Sequence, residues 1–254
     1  MKTTKNAYSK CSKFGDFDKQ RNVPLVHEES SQDSQMKTTK NIVAYFDFDG
    51  TLTHKDTLIP FLIYTVGISR FILKIPRLLP VAILYLLNII SNEEAKERTL
   101  IILIRGYSFG QLEEKAKNFA ELKLAKYIKP EVFNKLEYHF EHDHTIILVS
   151  ANLAMYLRYF AKKHAIDAVI ATEVEFNGGV CTGCLATRNC YGHEKVNRIT
   201  DYLAQQKSGF MYSYGYGNSH GDYELLNYVD EAYFVDGDEI SSWEPTTDKR
   251  QIKR

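Results

Sequence analysis

Short apolar segments alternate with longer helical patterns from residue 42 onward, and this alternation limits the fold more than any other feature. A strand followed by a helix and then by another strand favours a parallel sheet that is covered by helices. The sequence therefore predicts an α/β fold with a Rossmann-like core. The predicted strands are residues 42–46, 145–149, 168–171, 210–214 and 232–235.

The first two predicted strands are separated by a long segment with helical periodicity, too long for a simple crossover. We predict that this segment is an inserted helical cap, with helices at residues 93–104, after the N-cap Ser91, and at residues 109–127. Asn177, Gly178 and Gly179 separate two extended segments and favour a β-hairpin. The predicted domains are a core of residues 36–57 and 141–240 and a cap of residues 58–140.

The composition, with 44% hydrophobic and 25% charged residues among 254, is typical of globular proteins. Lys plus Arg and Asp plus Glu both number 32, so the net charge gives no support for binding nucleic acid. Four cysteines do not form the dense framework of a small secreted protein, which favours a cytoplasmic location.

Residues 1–35 are predicted to be a disordered extension and residues 241–254 a polar tail. Residues 1–6 recur as residues 36–41, and we hypothesise that Met36 is an alternative start.

Residues 58–90 are very apolar, but Arg70, Lys74 and Arg77 interrupt them. No uncharged run reaches the roughly 18 residues of a membrane-spanning helix, so we do not expect this segment to span a membrane. Two interpretations stay open. The helices pack on each other as a cap, or they form a basic amphipathic surface whose cations meet lipid phosphates. The second would hold the protein peripherally at the inner face of the cytoplasmic membrane.

The run Asp47-Phe48-Asp49-Gly50-Thr51 directly follows the first predicted strand. Two carboxylates at the end of a buried strand can act side by side as a nucleophile and an acid. A simple turn after the strand would explain Gly50 but gives no reason for Asp47. We therefore interpret Asp47 and Asp49 as catalytic.

Asp222 lies in a loop that follows the strand predicted at residues 210–214. Together with Asp47 it offers carboxylate oxygens, the ligands that Mg²⁺ prefers. Asn218 can add a carbonyl oxygen, either to the metal or behind its direct ligands. A loop that only turns the chain is the alternative interpretation.

Three further residues are candidates for binding phosphate. Lys195 begins a helical pattern and can supply a fixed positive charge. Ser150 ends a predicted strand, and the amide of Ala151, at the expected start of a helix, can bind an anion. Taken alone, Lys195 would be solvated and Ser150 a helix cap. Open parallel sheets bind ligands at the carboxyl ends of their strands, where all these segments fall, so we predict one common site.

Two other clusters have the composition of metal sites. Cys181, Cys184, Cys190 and His193 resemble zinc ligands, but they fall in the predicted hairpin and beside Lys195, so zinc is a minor alternative. His142 and His144 precede a strand and are expected to lie in a solvated loop.

In this order, the segments resemble the haloacid dehalogenase superfamily, in particular its phosphoserine-phosphatase-like branch (subfamily IB), which has a helical cap between the first two motifs. The resemblance covers about residues 42–236. The roles that it implies are nucleophile for Asp47, general acid and base and carbonyl metal ligand for Asp49, phosphate binding for Ser150 and Lys195, metal binding for Asp222, and orientation of Asp49 for Thr51.

Three positions depart from the phosphoserine phosphatases, which have Ser, Glu and Asp where this chain has Gly50, Asp56 and Asn218. The departures argue against phosphoserine as the substrate and leave Asp56 as a candidate substrate contact. The apolar entry to the cap and the Gly-His-Glu-Lys-Val run at residues 192–196 are similar to phosphatidylglycerophosphatase C and its relatives.

The predicted function is Mg²⁺-dependent hydrolysis of a phosphomonoester through an aspartyl-phosphate. The substrate expected from the resemblance is a phospholipid head-group phosphate such as phosphatidylglycerophosphate. A phosphatase of a small soluble sugar or amino-acid phosphate is one alternative, and a non-catalytic module that binds phospholigands is another. The sequence leaves the oligomeric state open.

Overall fold

A six-stranded sheet forms the centre of the protein, whose computed structural model describes residues 41–206 and 209–244. The predicted extension at residues 1–35, the alternative start at Met36 and residues 245–254 of the predicted tail lie outside this description. The strands are β1 (Ile42–Phe46), β2 (Thr145–Leu153), β3 (Ala168–Thr172), β4 (Val174–Asn177), β5 (Val180–Leu185), β6 (Tyr212–Gly217), β7 (Glu231–Asp236) and β8 (Glu239–Ser242). The helices are α1 (Leu58–Val66), α2 (Ile68–Leu86), α3 (Asn92–Leu103), α4 (Phe109–Leu122), α5 (Pro130–Glu141), α6 (Ala154–Lys163), α7 (His193–Ala204) and α8 (Tyr223–Tyr228).

The strand order across the central sheet is β3-β2-β1-β6-β7-β8. β1 pairs in parallel with both β2 and β6, and β8 is antiparallel to β7 at one edge. The chain moves outward from β1 to β3 on one side and from β6 to β7 on the other, so its direction across the sheet reverses between β1 and β6. This reversal leaves a crevice at the carboxyl ends of the two strands. The predicted α/β fold with a parallel core is confirmed.

β1 is buried on both faces because helices cover both sides of the sheet. Ala44 and Phe46 pack into the larger apolar cluster, and Val43 and Tyr45 pack into a second one on the opposite side. Successive side chains of a strand alternate between faces, so one short apolar run serves both clusters. The end of β1 is thereby held rigidly at the centre of the sheet.

β2 is longer than predicted, since it continues through Ser150 to Leu153. Its register against β3 shifts between Ser150 and Leu153, as at a β-bulge. The following helix α6 starts at Ala154, with no side-chain cap at its amino end. Ala151 is therefore not at a helix start, and Ser150 is not a helix cap. The polar residues that suggested the end of the strand belong to it.

The cap differs from the predicted domain bounds at two places. α5 packs on the sheet, where His139 Nε2 lies 2.9 Å from the Tyr216 hydroxyl, so the cap ends before α5. The predicted hairpin forms as β4 and β5, but it packs on the cap helix α3. A Cβ at Gly183 would lie 2.6 Å from the Ile101 Cα, which shows how close the two backbones are.

Other local predictions have mixed outcomes. Ser91 caps α3, because its hydroxyl accepts a hydrogen bond from the Glu94 amide, as predicted. The helix predicted at residues 109–127 is α4 followed by a separate 3-10 turn, Leu124–Tyr127. The tail predicted from residue 241 begins too early, because β8 extends to Ser242 and the Trp243 amide bonds to Ala232.

Within the described residues, no individual helix combines the length and hydropathy of a membrane-spanning helix. α1 and α2 meet those criteria only as a pair, and the two helices are bent by 120° where they join.

Candidate active site

Asp47 directly follows β1, and its amide donates to the Tyr216 carbonyl at 2.9 Å, so it continues the pairing of β1 with β6. Its carboxylate faces Lys195 of α7, which is only 1% exposed. The Lys195 ammonium donates to Asp47 Oδ1 at 2.6 Å, to Asp222 Oδ1 at 2.5 Å and to the Val149 carbonyl at 2.9 Å. One buried cation thus joins the ends of β1 and β2 and the loop after β6.

The loop after β6 fixes the second carboxylate. Asp222 Oδ2 accepts hydrogen bonds from the Asn218 amide and from the amide and hydroxyl of Ser219. A Cβ at Gly217 would lie 2.5 Å from the Asp222 Cβ, so the backbone can turn this tightly only with glycine. Asp222 is therefore held in place before any ligand binds.

Burial and the charge of Asp222 raise the pKa of Asp47, whereas Lys195 and Thr51 lower it. The resulting pKa is about 6. Burial alone would lower the pKa of Lys195, but the carboxylates of Asp222 and Asp47 outweigh it and hold that pKa above its usual range. At neutral pH Asp47 is thus an ionised carboxylate beside a permanently charged ammonium.

Asp49 lies in different surroundings, although it is close to Asp47 in the chain. Its Oδ1 accepts from the Thr57 hydroxyl at 2.6 Å and the Thr57 amide at 3.1 Å, and its Oδ2 accepts from the Asn152 side-chain amide. The predicted orienting residue, Thr51, does not do this. Its hydroxyl lies 3.0 Å from Asp47 Oδ2 and 3.1 Å from Asn218 Oδ1, so it orients Asp47 instead.

Burial and the charges of Asp56 and Asp47 raise the pKa of Asp49, whereas hydrogen bonds from Thr57 and Asn152 lower it, and together they place it at about 8. A carboxylic acid in this state keeps its proton at neutral pH and can pass it to a ligand. The two catalytic candidates therefore differ in protonation because one has a cation partner and the other has neutral donors.

The end of β2 brings the phosphate-binding candidates to the same crevice. Ser150 is 1% exposed, and its Oγ accepts from the Asn152 amide at 3.1 Å. The Ala151 carbonyl accepts from the ammonium of Lys96, at 2.5 Å, and from the Thr172 hydroxyl. Lys96 belongs to the cap helix α3, so the cap contacts the core at the crevice itself.

A cavity of about 580 Å³ joins these groups. Its walls include Asp47, Asp49, Asp56, Ser150, Ala151, Lys195 and Asp222, that is, every predicted site residue except Asn218. Apolar residues of the cap complete the wall. They include Leu58, Ile59, Phe71, Leu78, Val81 and Ala82.

Asn218 and Asp56 lie at the edge of this arrangement. A Cβ at Gly50, whose φ is +81°, would lie 2.2 Å from Asn218 Nδ2, so a side chain at Gly50 would collide with Asn218. Asp56 Oδ1 accepts from the Leu58 amide at 2.8 Å and thereby satisfies the first backbone amide of α1. Asp56 thus has a structural role in addition to lining the cavity.

Three polar residues of the site were not predicted from the sequence. Asn152 and Thr57 hold Asp49, and Lys96 contacts Ala151 and, at 2.6 Å, Asn189 Oδ1. Asn152 follows Ser150 closely, and an extended β2 would have suggested it. Lys96 carries no local signal, because a lysine in a helix is usually solvated.

The donors fit Mg²⁺, although no three His, Cys, Asp or Glu side chains among residues 41–206 and 209–244 converge on one point. Asp47 and Asp222 approach the same ammonium, and the charge of Asp222 raises the pKa of Asp47. A divalent cation would relieve this repulsion between carboxylates. Carboxylate and carbonyl oxygens are hard ligands of the kind that Mg²⁺ takes, with water completing the shell.

The zinc alternative is contradicted by the positions of its residues. Cys181 and Cys190 are free thiols in different apolar clusters, and His193 is exposed and 3.5 Å from Glu224. The predicted solvated loop is also wrong in part. His144 is buried, and its Nδ1 lies 2.7 Å from His139 Nδ1.

The sequence matches the family of haloacid dehalogenase-like hydrolases over residues 44–227. The chain belongs to this family, and the prediction of a hydrolase is confirmed. The protein CicA of Caulobacter vibrioides is 27% identical over 191 residues, which are 75% of this chain and 84% of CicA.

Solved structures with the same fold have low sequence identity. A protein of unknown function from Bordetella pertussis has a TM-score of 0.67 at 22% identity, covering 76% of this chain and 89% of its own. A probable phosphoserine phosphatase from Vibrio cholerae has a TM-score of 0.58 at 10% identity, over 76% of this chain and 55% of its own. A phospho-aspartyl intermediate analogue of phosphoserine phosphatase has a TM-score of 0.51 at 14% identity, over 76% and 85%. The protein thus has the fold of phosphoserine phosphatases.

Proposed function

We propose that this protein is a Mg²⁺-dependent phosphatase that hydrolyses a phosphomonoester through an aspartyl-phosphate on Asp47. The observation that carries the proposal is the different surroundings of two neighbouring acids. Asp47 contacts the ammonium of Lys195, whereas Asp49 accepts hydrogen bonds from neutral groups and has a pKa raised to about 8. An ionised carboxylate beside a protonated acid is the pair that a nucleophile and a general acid require.

In the first step, a carboxylate oxygen of Asp47 bonds to phosphorus as the bond from phosphorus to the alcohol oxygen breaks. Asp49 gives its proton to that oxygen, so the alcohol leaves without charge. Lys195 and the hydroxyl of Ser150 line the same cavity and counter the negative charge of the phosphoryl oxygens. The proposed nucleophile and its counter-charges thus come from the core.

In the second step, the carboxylate form of Asp49 takes a proton from water, and the water oxygen bonds to phosphorus. The acyl-phosphate bond to Asp47 breaks, inorganic phosphate leaves, and both aspartates return to their starting states. A pKa near neutrality suits a group that must give a proton in one step and accept one in the next.

Mg²⁺ would be held by Asp47, Asp222 and the backbone carbonyl of Asp49. When bound, it supplies positive charge that lets a carboxylate approach a phosphate dianion. Asn218, which lies 3.1 Å from the Thr51 hydroxyl, is proposed behind these ligands. There it would fix Thr51 and, through it, the orientation of Asp47.

We infer that the substrate has an apolar body, as in a phospholipid head-group phosphate of the phosphatidylglycerophosphate type. The support is the cavity wall, because Phe71, Leu78 and Val81 line it together with the aspartates. A small sugar phosphate would leave this wall against polar groups or water, which is unfavourable. Lys96 lines the same cavity, and its ammonium donates to the Ala151 carbonyl and to Asn189 Oδ1. The location that fits such a substrate is the cytoplasm, at the inner face of the cytoplasmic membrane.

The test is phosphate release, with and without Mg²⁺, from phosphatidylglycerophosphate in detergent micelles and from soluble esters including phosphoserine. We expect the lipid to be preferred, and Asp47→Asn to lower kcat by more than about 10⁴-fold, because an amide is a poor nucleophile. Asp230→Asn is the matched control, since Asp230 contacts Ser213 at the other end of β6. Preference for a soluble ester would overturn the substrate assignment, and substantial activity of Asp47→Asn would overturn the mechanism.

A further inference from the structure

Large apolar side chains are exposed along α2 and the turn that follows it. Leu73 is 79% exposed and Leu86 76%. Contiguous apolar surface of this kind is rare on proteins that stay in water and marks a surface for binding. The exposed aliphatic side chains are Ile68, Ile72, Leu73, Ile75, Leu79, Ile83, Leu86, Leu87 and Ile89.

The exposed Leu and Ile side chains of α2 occupy a continuous sector of the helix, whereas the exposed Tyr85 lies on the cavity side. With about 100° between successive residues, the sector from Ile75 round to Leu73 covers about half of the helix circumference. The opposite face, with Phe71, Leu78 and Val81, lines the catalytic cavity. One helix therefore forms the cavity wall on its inner side and an apolar surface on its outer side.

The charges of this segment are all positive. Residues 58–91 contain no Asp or Glu, although the whole chain has equal numbers of acidic and basic residues. Lys74 is not available to a partner, because its ammonium donates to the Ile102 carbonyl at 2.6 Å and the Leu103 carbonyl at 3.1 Å, at the end of α3. Arg70 and Arg77 are exposed and lie together at one edge of the apolar sector.

We propose that α2 docks on the surface of an anionic phospholipid bilayer. The helix lies parallel to the membrane plane, its apolar sector enters the acyl boundary, and Arg70 and Arg77 bind lipid phosphates. The cavity then lies about 10 Å, one helix diameter, from the bilayer. This inference rests on the proposed function in one respect, namely that the cavity receives a lipid phosphate. It also corrects the expectation that three cations meet lipid, since Lys74 serves the cap.

Charge favours a bilayer over a second copy of the chain. In a two-fold dimer through α2 the same surface of both copies would meet, and their arginines would face each other. The segment has no acidic residue that could pair with them. An anionic membrane supplies both the apolar phase and the negative charge.

The test is flotation of the full-length protein with vesicles of phosphatidylcholine alone or of phosphatidylcholine with phosphatidylglycerol. We expect binding to the mixed vesicles that weakens with salt. The double variant Leu73→Glu/Leu79→Glu should lose at least about 100-fold in binding, because two apolar side chains no longer enter the lipid. Arg70→Gln/Arg77→Gln should lose about 30-fold, on the anionic vesicles only.

The matched control is Leu122→Glu/Phe140→Glu, which changes two exposed apolar residues outside α2 and should bind vesicles like the wild type. Failure of the wild type to float, or flotation of Leu73→Glu/Leu79→Glu like the wild type, would overturn the inference. A wild-type dimer by light scattering that this variant converts to a monomer would overturn it in favour of a second copy.

Hydrolysis of a soluble phosphomonoester separates this inference from the proposed function. We expect the α2 variants to keep wild-type activity on that ester, because the changed side chains point away from the cavity. Soluble-ester hydrolysis without vesicle binding would refute only the docking surface. Vesicle binding without hydrolysis of any ester would refute the proposed reaction instead.

Discussion

Lys195→Met removes the cation that Asp47 and Asp222 share. The ammonium lies 2.6 Å and 2.5 Å from the two carboxylates, in a side chain that is 1% exposed. Met keeps the apolar volume of the lysine stem, so the change is mainly one of charge. Removing one partner of a buried ion pair typically costs about 3–5 kcal/mol, because the remaining charge stays buried. Two carboxylates lose their partner here, so we expect a loss of about 4–5 kcal/mol in the free energy of unfolding at pH 7.

The loss should depend on pH with a definite sign. Without Lys195, the pKa of Asp47 rises further, since burial and Asp222 still raise it and the lysine no longer lowers it. The folded variant then binds more protons than its unfolded chain over the range above pH 4, so it gains stability as the pH falls through the raised pKa. The difference in unfolding free energy between wild type and variant should therefore shrink from pH 7 to pH 5.

Lys129→Met is the matched control, because Lys129 is also buried but its ammonium donates to the Gly50 and Gly237 carbonyls, both at 2.6 Å. Neutral partners left unpaired cost only about 1–3 kcal/mol and do not titrate in this range. Urea denaturation of the three proteins in EDTA, at pH 7 and pH 5, gives the free energies. A loss below about 1 kcal/mol for Lys195→Met, or the same pH response in both variants, would refute the electrostatic account.

Two further predictions concern the residues that hold the acid and the cap. Asn152→Ala removes a hydrogen bond to Asp49. We expect kcat to fall about tenfold or more for an alkyl phosphate and much less for p-nitrophenyl phosphate, because the leaving group of the latter needs no proton. Equal losses on both esters would contradict the role of Asn152 in positioning the general acid. Burial lowers the pKa of Lys96 to about 8 in the folded protein. The unfolded chain therefore binds a proton at Lys96 more tightly than the folded protein does, and this difference lowers the free energy of unfolding at neutral pH. The free energy of unfolding of the wild type, relative to that of Lys96→Met, should therefore rise by roughly 2 kcal/mol between pH 7 and pH 10, as measured by urea denaturation. A difference that does not change with pH would refute this prediction.

The sequence predicted those parts of the site that follow strands directly. Asp47 comes after β1 and Asp222 after β6, and parallel strands bring their carboxyl ends to one edge of the sheet. Lys195 lies in the first turn of α7, whose position is set by the same topology. For these residues local pattern and fold agree, so the chain order alone was enough to bring them together.

The residues that the sequence did not predict depend on how the cap packs on the core. Lys96 reaches Ala151 only because α3 lies over the crevice, and no local pattern in α3 distinguishes it from a solvated lysine. Asn152 was missed because polar residues suggested that β2 had ended. His144 is buried by stacking on Tyr214 and by contact with His139, which come from other elements. Each of these positions is decided by tertiary contacts.

The two aspartates are close in the chain but are attached to different parts of the protein. Asp47 continues β1 and bonds to β6, so the core alone sets its position. Asp49 is held by Asn152 and by Thr57, the residue that precedes α1. Asp49 is thus held jointly by the core strand β2, through Asn152, and by the residue before the first cap helix. Because Thr57 directly precedes α1, a change at the start of α1 would alter the hydrogen bonds of Asp49, whereas the contacts of Asp47 with Lys195 and Thr51 lie within the core.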